Sequence, residues 1–278
     1  MKIIITYCSP AGSTRQIANV FHNSFSKRNA DVVILDLAKE NERSSALDPI
    51  KTTKQKMCLF IGSPVYRDVA VPPVMDFIET LPEVEGNYAV PFVTWGQACS
   101  GVALWQMSCA LIKKGFQIAG AAKVVALHSM MWRANDPAGK GHPDEADRRT
   151  IEEMVAKLSA RFDSDNFPVL SLDALDYQPP ERAAEMKNKI KTPWFIIPKN
   201  VSTEACTQCG ICKEECPVDA VILDPYPEFD RKCIDCFNCI RLCPEEAIAS
   251  SVSLDDIANH IRQRVVNINE LPLTQVFV

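Results

Sequence analysis

Apolar and polar positions along this chain alternate between two periods. Lys2–Tyr7 is a short apolar run rich in β-branched residues, which predicts a buried strand. Ile17, Val20, Phe21 and Phe25 then follow at helical spacing. Further strands are predicted at Asp31–Leu37, Lys56–Gly62, Tyr88–Trp95 and Ile118–Leu127, and helices at Pro72–Leu81, Gly101–Lys114 and Pro143–Phe162. The last helix carries Ile151, Met154, Val155, Leu158 and Phe162 on one face, behind Pro143 at an N1-like position. Five strands with intervening helices predict an α/β fold with a parallel sheet covered on both faces.

The pattern weakens over residues 163–200, which hold Pro168, Pro179, Pro180, Pro193 and Pro198. A short helix is predicted near Pro180, through Glu181–Ile190. Phe167, Leu170, Leu172, Trp194, Phe195 and Ile196 would be exposed on a loose tether, so a packed connection is expected. Near the end, Ser253 with Asp256 makes a capping-box-like helix start, and Leu254, Ile257, Ile261 and Val265 form one face. Val276, Phe277 and Val278 read as an edge strand or a dimer contact. The chain therefore divides into 1–165, a connecting segment 166–200, a cysteine-rich unit 201–250 and a C-terminal helix and tail 251–278.

Composition narrows the function classes. A length of 278 residues suits two units, and the net charge of −5 argues against a protein built to neutralise a phosphate backbone. The longest apolar stretch, Ile118–Leu127, is interrupted by Lys123, and no 18-residue apolar run exists, so no membrane span is expected. Lys2–Tyr7 is too short for the apolar core of a signal peptide, which leaves a cytoplasmic protein as the expectation. Eight of the twelve cysteines fall within residues 206–243. That clustering suggests ligands in a reducing compartment rather than scattered disulfides.

The clustered cysteines form two runs of identical spacing. Cys206, Cys209, Cys212 and Cys216 precede Pro217; Cys233, Cys236, Cys239 and Cys243 precede Pro244. Ala220 recurs as Ala247 at the same offset. Two-residue gaps let three thiolates converge on one site from a tight loop. Structural zinc prefers two Cys-x2-Cys pairs with a longer spacer, which this pattern does not offer. The repeat resembles the bacterial two-cluster ferredoxins, in which the fourth cysteine of each run ligates the other cluster. By that resemblance, Cys206, Cys209, Cys212 and Cys243 hold one 4Fe–4S cluster, and Cys233, Cys236, Cys239 and Cys216 hold the second. Residues 201–250 carry ten acidic and four basic side chains, a local charge of −6 that reads as solvated surface.

Between the first strand and first helix lies Ser9-Pro10-Ala11-Gly12-Ser13-Thr14. A hydroxyl-rich, glycine-containing turn at a helix N-terminus suits an anion, because unpaired amides and the positive dipole end converge there. With the strand–helix alternation, the front of the chain resembles flavodoxin, although Ala11 and Ser13 depart from that family's phosphate loop. The resemblance implies a five-stranded sheet of order 2-1-3-4-5 with FMN at the carboxyl ends of the strands. It also implies contacts from Ser9, Ala11, Gly12, Ser13 and Thr14, from Pro64, Val65 and Tyr66, and from Thr94, Trp95, Gly96 and Gly101. Tyr66 and Trp95 occupy the places where flavodoxins bracket the flavin ring.

The long stretch after the fifth strand, His128–Arg133 through Gly139–Pro143, resembles that of fused flavodoxin–ferredoxin proteins of anaerobes. Trp132, Arg133 and His142 read there as flavin cover, substrate contacts, or caps and lid packing. Cys58 and Cys109 read as small buried hydrophobes, Cys8 as half-buried, and Cys99 as a rim thiol that is either redox-active or passive. Together the chain reads as an electron-transfer protein with two 4Fe–4S clusters and FMN, serving a redox partner and possessing no nicotinamide fingerprint. A competing reading is a flavin-dependent reductase of a quinone-like acceptor, with His142, His128 and Tyr66 as candidate acids. A redox sensor is a third class, without a DNA-binding signature to support it.

Overall fold

The computed structural model describes residues 1–162 and 168–278. Phe167 and the division expected at 165–166 lie outside those residues. The N-terminal part begins with β1 (Lys2–Tyr7), α1 (Ser13–Ser26), β2 (Val32–Asp36), β3 (Met57–Tyr66) and α2 (Pro72–Thr80). It continues with β4 (Tyr88–Trp95), α3 (Ala103–Lys113), β5 (Ala121–Val125) and α4 (Glu145–Phe162). The five strands pair in parallel in the order β2-β1-β3-β4-β5. That is the order the flavodoxin resemblance implies, and it places the switch point between β1 and β3.

The sheet is buried on both faces because its strands are apolar almost throughout. Ile17, Phe21 and Phe25 of α1 meet Ile151, Met154, Val155 and Leu158 of α4 over one face. Val74, Phe77 and Ile78 of α2 and Leu104, Met107 and Leu111 of α3 cover the other. Removing these side chains from water, at about 1.5–3 kcal/mol each, drives the layering.

Three elements differ from their sequence expectation. The third strand runs to Tyr66 rather than ending at Gly62, since Val65 and Tyr66 fold back on Val69–Ala70. The stretch predicted as one strand, Ile118–Leu127, breaks after Gln117–Ile118 and resumes at Ala121. At the break, a Cβ on Gly120 would stand 3.0 Å from the Phe277 carbonyl oxygen. The last helix starts at Glu145, two residues beyond Pro143. Asp144 caps it: its Oδ1 accepts the Asp147 amide at 2.9 Å, and Asp147 Oδ2 accepts the Asp144 amide at 2.8 Å.

The connecting segment carries α5 (Pro180–Ile190), with Ala183 and Met186 buried. Phe195, expected to pack, is 70% exposed. The cysteine-rich unit pairs β6 (Lys199–Val201) with β9 (Ile248–Ser250), and β7 (Val221–Leu223) with β8 (Pro227–Phe229), both antiparallel. Single-turn helices α6 (Ile211–Glu214) and α7 (Asn238–Arg241) lie between them. The chain then forms α8 (Leu254–Ile268), capped by Ser253 Oγ on the Asp256 amide at 3.0 Å. It ends in β10 (Gln275–Phe277), which joins β5 antiparallel as the sixth strand of the sheet's main path. The edge-strand reading of the tail is the observed one. Among the described residues, no helix is long and apolar enough to cross a membrane.

β10 is fastened by a buried polar cluster. Lys123, the residue that interrupts the fifth strand's apolar run, is 1% exposed, and its Nζ donates to Glu270 Oε1 at 2.6 Å. Glu270 also accepts the Ser100 amide at 2.9 Å, the Ser100 hydroxyl and Gln178 Nε2 at 3.1 Å. Burial pushes the Glu270 carboxyl up, but the Lys123 ammonium and these donors hold it below the usual carboxylate range.

Candidate functional site: a cavity beside two thiol clusters

A cavity of about 550 Å³ opens at the carboxyl ends of β1, β3, β4 and β5. Its volume is that of a cofactor or substrate site. Ser9, Ala11, Ser13 and Thr14 line one side, Pro64, Val65 and Tyr66 a second, and Thr94, Trp95 and Gly96 a third. The rest of the wall comes from elsewhere in the chain: His128 after β5, Trp194 and Phe195 before β6, Ile234 and Asp235 between cysteines, and Ile257, Ile261 and Arg264 of α8.

The turn before α1 owes its shape to Gly12, which sits at φ 93° ahead of the first helical residue. Ser9 Oγ accepts the Arg15 amide at 2.9 Å, and the Thr14 and Thr94 hydroxyls meet at 2.8 Å. Gly12 and Gly101 are the two expected contacts absent from the cavity wall. Gly101 has a different duty: at φ +62°, its α-carbon packs against the Asp68 carbonyl, 2.0 Å from where a Cβ would stand. Gly96 lies in the cavity wall and packs closely on the chain's own His128, whose ring is 2.5 Å from where a Cβ would stand.

The two aromatics expected to bracket a ring differ. Tyr66 lines the cavity, and its buried hydroxyl has no hydrogen-bond partner among the described residues. An orphaned buried hydroxyl at a cavity wall fits a site completed by a polar ligand. Trp95 does not present its ring as a stacking face. It is 1% exposed, and its indole Nε1 donates to the Leu273 carbonyl at 2.9 Å, beneath the returning tail. The tail segment that captures it lies far away in sequence, beyond the reach of a local pattern.

Other candidate residues after β5 serve the frame. His142 Nδ1 donates to Asp147 at 2.6 Å at the start of α4 and does not line the cavity. Arg133 pairs with Glu246 at 2.7 Å, and Trp132 meets Phe237 edge-on. These are interdomain and capping contacts rather than a cover over the cavity. His128 is in the cavity wall, where burial, then the Arg264 charge, pushes its pKa down to about 4. Cys8 is fully buried rather than half-buried. Cys58 is fully buried as expected, and Cys109 is partly exposed. Burial, then Asp68 and Glu270, pushes the Cys99 thiol up to about 12.

The eight clustered thiols border two small cavities. Cys206, Cys209, Cys212 and Cys243 surround one; Cys216, Cys233, Cys236 and Cys239 surround the other, with Cys212 touching both. The run-ending cysteines thus cross to the opposite set. Four soft thiolate donors about each void fit an iron–sulfur cluster. Equivalent backbone amides point at equivalent sulfurs: the Ala220 amide donates to Cys216 Sγ at 3.2 Å, and the Ala247 amide to Cys243 Sγ at 3.3 Å. The two sets are unequally sheltered. Cys209 is exposed, whereas Cys236 is buried. Lys199 reaches the inner set from β6, with Nζ 2.8 Å from Asp235 Oδ1 and 3.4 Å from Cys233 Sγ.

Comparisons with known proteins agree with this chemistry. Residues 198–244 match the family model described as a 4Fe-4S dicluster domain. Ferredoxin-3 of Chlorobaculum tepidum is 35% identical over 57 residues, covering 18% of this chain and 92% of that protein. An uncharacterized polyferredoxin-like protein of Methanocaldococcus jannaschii is 30% identical over 84 residues, 25% of this chain. The match spans half the length of that relative. A flavodoxin from the domain Archaea superposes over 59% of this chain and 100% of its own, at 17% identity and a TM-score of 0.43. Oxidised Flavodoxin 2 from Bacillus cereus gives 18% identity and 0.44 over 58% of this chain and 100% of its own.

Proposed function

Since the chain belongs, through its cysteine-rich unit, to the 4Fe–4S dicluster ferredoxins, we propose that it relays electrons between two 4Fe–4S clusters and an FMN in the cavity, and exchanges them with a redox partner. The division of labour is then a flavodoxin-like unit to about residue 165 and a ferredoxin-like unit from about residue 201. Bound FMN would supply one- and two-electron chemistry, and each cluster one-electron steps.

One observation carries the reading: a single loop serves both the thiols and the cavity. Ile234 and Asp235, between Cys233 and Cys236, line the cavity wall, and Cys236 packs in the same apolar cluster as Ile234 and Tyr66. The inner set (Cys216, Cys233, Cys236, Cys239) would hold the cluster next to the flavin. The outer set (Cys206, Cys209, Cys212, Cys243), with its exposed Cys209, would hold the cluster that meets the partner. The amides on Cys216 and Cys243 would stabilise the charge each cluster gains on reduction. Ser9, Ser13 and Thr14 would receive the flavin phosphate, Tyr66 and Gly96 would face the ring, and the apolar α8 residues would exclude water.

The test is anaerobic purification followed by iron, sulfide and flavin assay. The expected result is about eight irons and one FMN per chain. A chain with its irons but no affinity for flavin would sink the flavin half of the proposal. A second reading, an FMN-dependent reductase of a small acceptor, draws on the far wall of the cavity, where Trp194, Phe195 and Ile257 lie beyond the flavodoxin-like loops. Steady turnover with quinones under anaerobic conditions would favour it.

A further inference from the structure

The turn before α1 is poorly supplied for a dianionic phosphate. Ala11 offers no hydroxyl. Thr14 is shared with Thr94, and Ser9 Oγ, though it accepts the Arg15 amide, keeps its own O–H, as Ser13 does, so the side chains offer neutral donors only. Backbone amides at the helix start remain, but amides alone place no full positive charge beside the anion.

Two cations of the cavity wall are already matched to a carboxylate. Lys189 and Arg264 both pair with Asp68, Arg264 at 2.6 Å. Arg15 is exposed and lies in the field of Asp36 and Glu42. Arg67 is turned onto the Trp194 ring, 5.4 Å from its centroid, and reaches the Pro193 carbonyl. His128 is held neutral by burial.

Arg241 differs from these in its origin. It stands at the end of α7, between Cys239 and Cys243, yet its Nη2 donates to the Pro10 carbonyl at 2.9 Å. The same Nη2 donates to Asn238 Oδ1 at 2.6 Å, and buried Asn238 is itself anchored to the Glu215 carbonyl. Among the described residues Arg241 has no carboxylate partner, and its Nη1 and Nε have no hydrogen-bond partner. A guanidinium just outside the cavity wall is thus delivered by the cysteine-rich unit to the Pro10 end of the turn, with donors to spare.

We infer that Arg241 is the countercharge for the phosphate of the flavin nucleotide, so that the phosphate site is completed across the two units. The inference rests on the flavin reading above and extends it to a residue outside the flavodoxin-like unit. Arg241 offers the geometry: a fixed planar fork with free N–H groups suits phosphate oxygens, whereas a lysine would supply only a point charge. It also links the cofactors, because the helix that carries Cys239 positions the guanidinium.

The experiment uses the full-length, cluster-loaded chain, freed of flavin by dialysis against high bromide and titrated anaerobically with FMN and, separately, riboflavin. Quenching of flavin fluorescence gives the two affinities. Arg241→Gln is expected to weaken FMN binding about 10- to 100-fold, the range for losing a hydrogen bond to a charged group, while riboflavin affinity changes less than about twofold. Arg241→Lys is expected to fall between, and salt should weaken FMN binding less in the Gln variant than in the parent. Iron analysis confirms that the variants keep their clusters; should the Gln variant lose them, the Lys variant still decides between charge and frame. Equal loss of FMN and riboflavin affinity, or no loss of either, overturns the role of Arg241. A parent chain that binds neither flavin overturns the cavity reading as well, and the two failures are separate observations.

Discussion

Replacing Glu270 by Gln tests how the tail holds the cavity-bearing end of the sheet. Lys123 is 1% exposed and cannot reach water, so its charge depends on the carboxylate 2.6 Å away. The Trp95 and Tyr177 rings, 5.5 and 4.7 Å from Nζ, are its other neighbours. Gln keeps the shape and some hydrogen bonds of Glu270 but removes the charge, leaving a buried ammonium uncompensated. Breaking one side of such a pair costs about 3–5 kcal/mol. At roughly 2–4 °C per kcal/mol for a chain of this size class, Tm should fall by about 6–20 °C. Anaerobic thermal unfolding followed by tryptophan fluorescence measures this, with Trp95 reporting tail release through its bond to Leu273. The double variant Lys123→Met, Glu270→Leu removes both charges and should recover most of the loss. The sign with pH follows from the depressed Glu270 pKa: the pair's contribution is present above the unfolded carboxyl value of about 4.3 and disappears as pH falls through the folded value. The Gln variant should lack that acid-side loss. A Tm unchanged within about 2 °C, or a double variant no better than the single, would refute the clamp.

Three further outcomes follow from the site. Cys216→Ser and Cys243→Ser should each remove one cluster and leave the other, seen as iron content near half and one surviving spectrum by electron paramagnetic resonance; loss of flavin contact with the remaining cluster should accompany Cys216→Ser alone. Gly96→Ala should cost about 1–3 kcal/mol in urea unfolding, because its Cβ would lie 2.5 Å from the His128 ring, and unchanged stability would mean that the ring yields freely. His128 is half-buried in the cavity wall, with its pKa pushed down to about 4 by desolvation, so the unfolded chain binds its proton first as pH falls from about 6.5. The parent should therefore lose stability on acidification between about pH 6.5 and 4, a loss that His128→Asn abolishes; identical pH profiles of the two proteins would contradict the burial argument.

Which features were legible in the sequence follows from how local their causes are. The eight cysteines were legible because loop geometry confines three ligands to two-residue gaps, while the crossed fourth ligand came only with the resemblance to two-cluster ferredoxins. The β1–turn–α1 unit was legible because strand, glycine and amphipathic helix are adjacent. Trp95 was misread as a stacking ring because its partner, the Leu273 carbonyl, arrives from the far end of the chain. Lys123 looked like a break in an apolar run for the same reason: its counter-ion, Glu270, lies beyond the cysteines. Phe195 was read as packed because hydrophobicity alone does not distinguish a core residue from one at a cavity mouth.

These long-range contacts share one origin. After the second cysteine run, the chain turns back through α8 and β10 onto the sheet that opened it. α8 supplies one wall of the cavity, Arg264 joins Lys189 on Asp68, and β10 completes the sheet edge beside β5. The cysteine-rich unit is therefore enclosed between two segments of the sheet-bearing unit rather than appended to it. Within that enclosure Ile234 lines the cavity and packs in the same apolar cluster as Cys236. A tethered cysteine-rich unit would meet the cavity only by diffusion; here the return of the tail sets the arrangement once, during folding. The same return makes the Lys123–Glu270 pair part of what holds the cavity-bearing end of the sheet together.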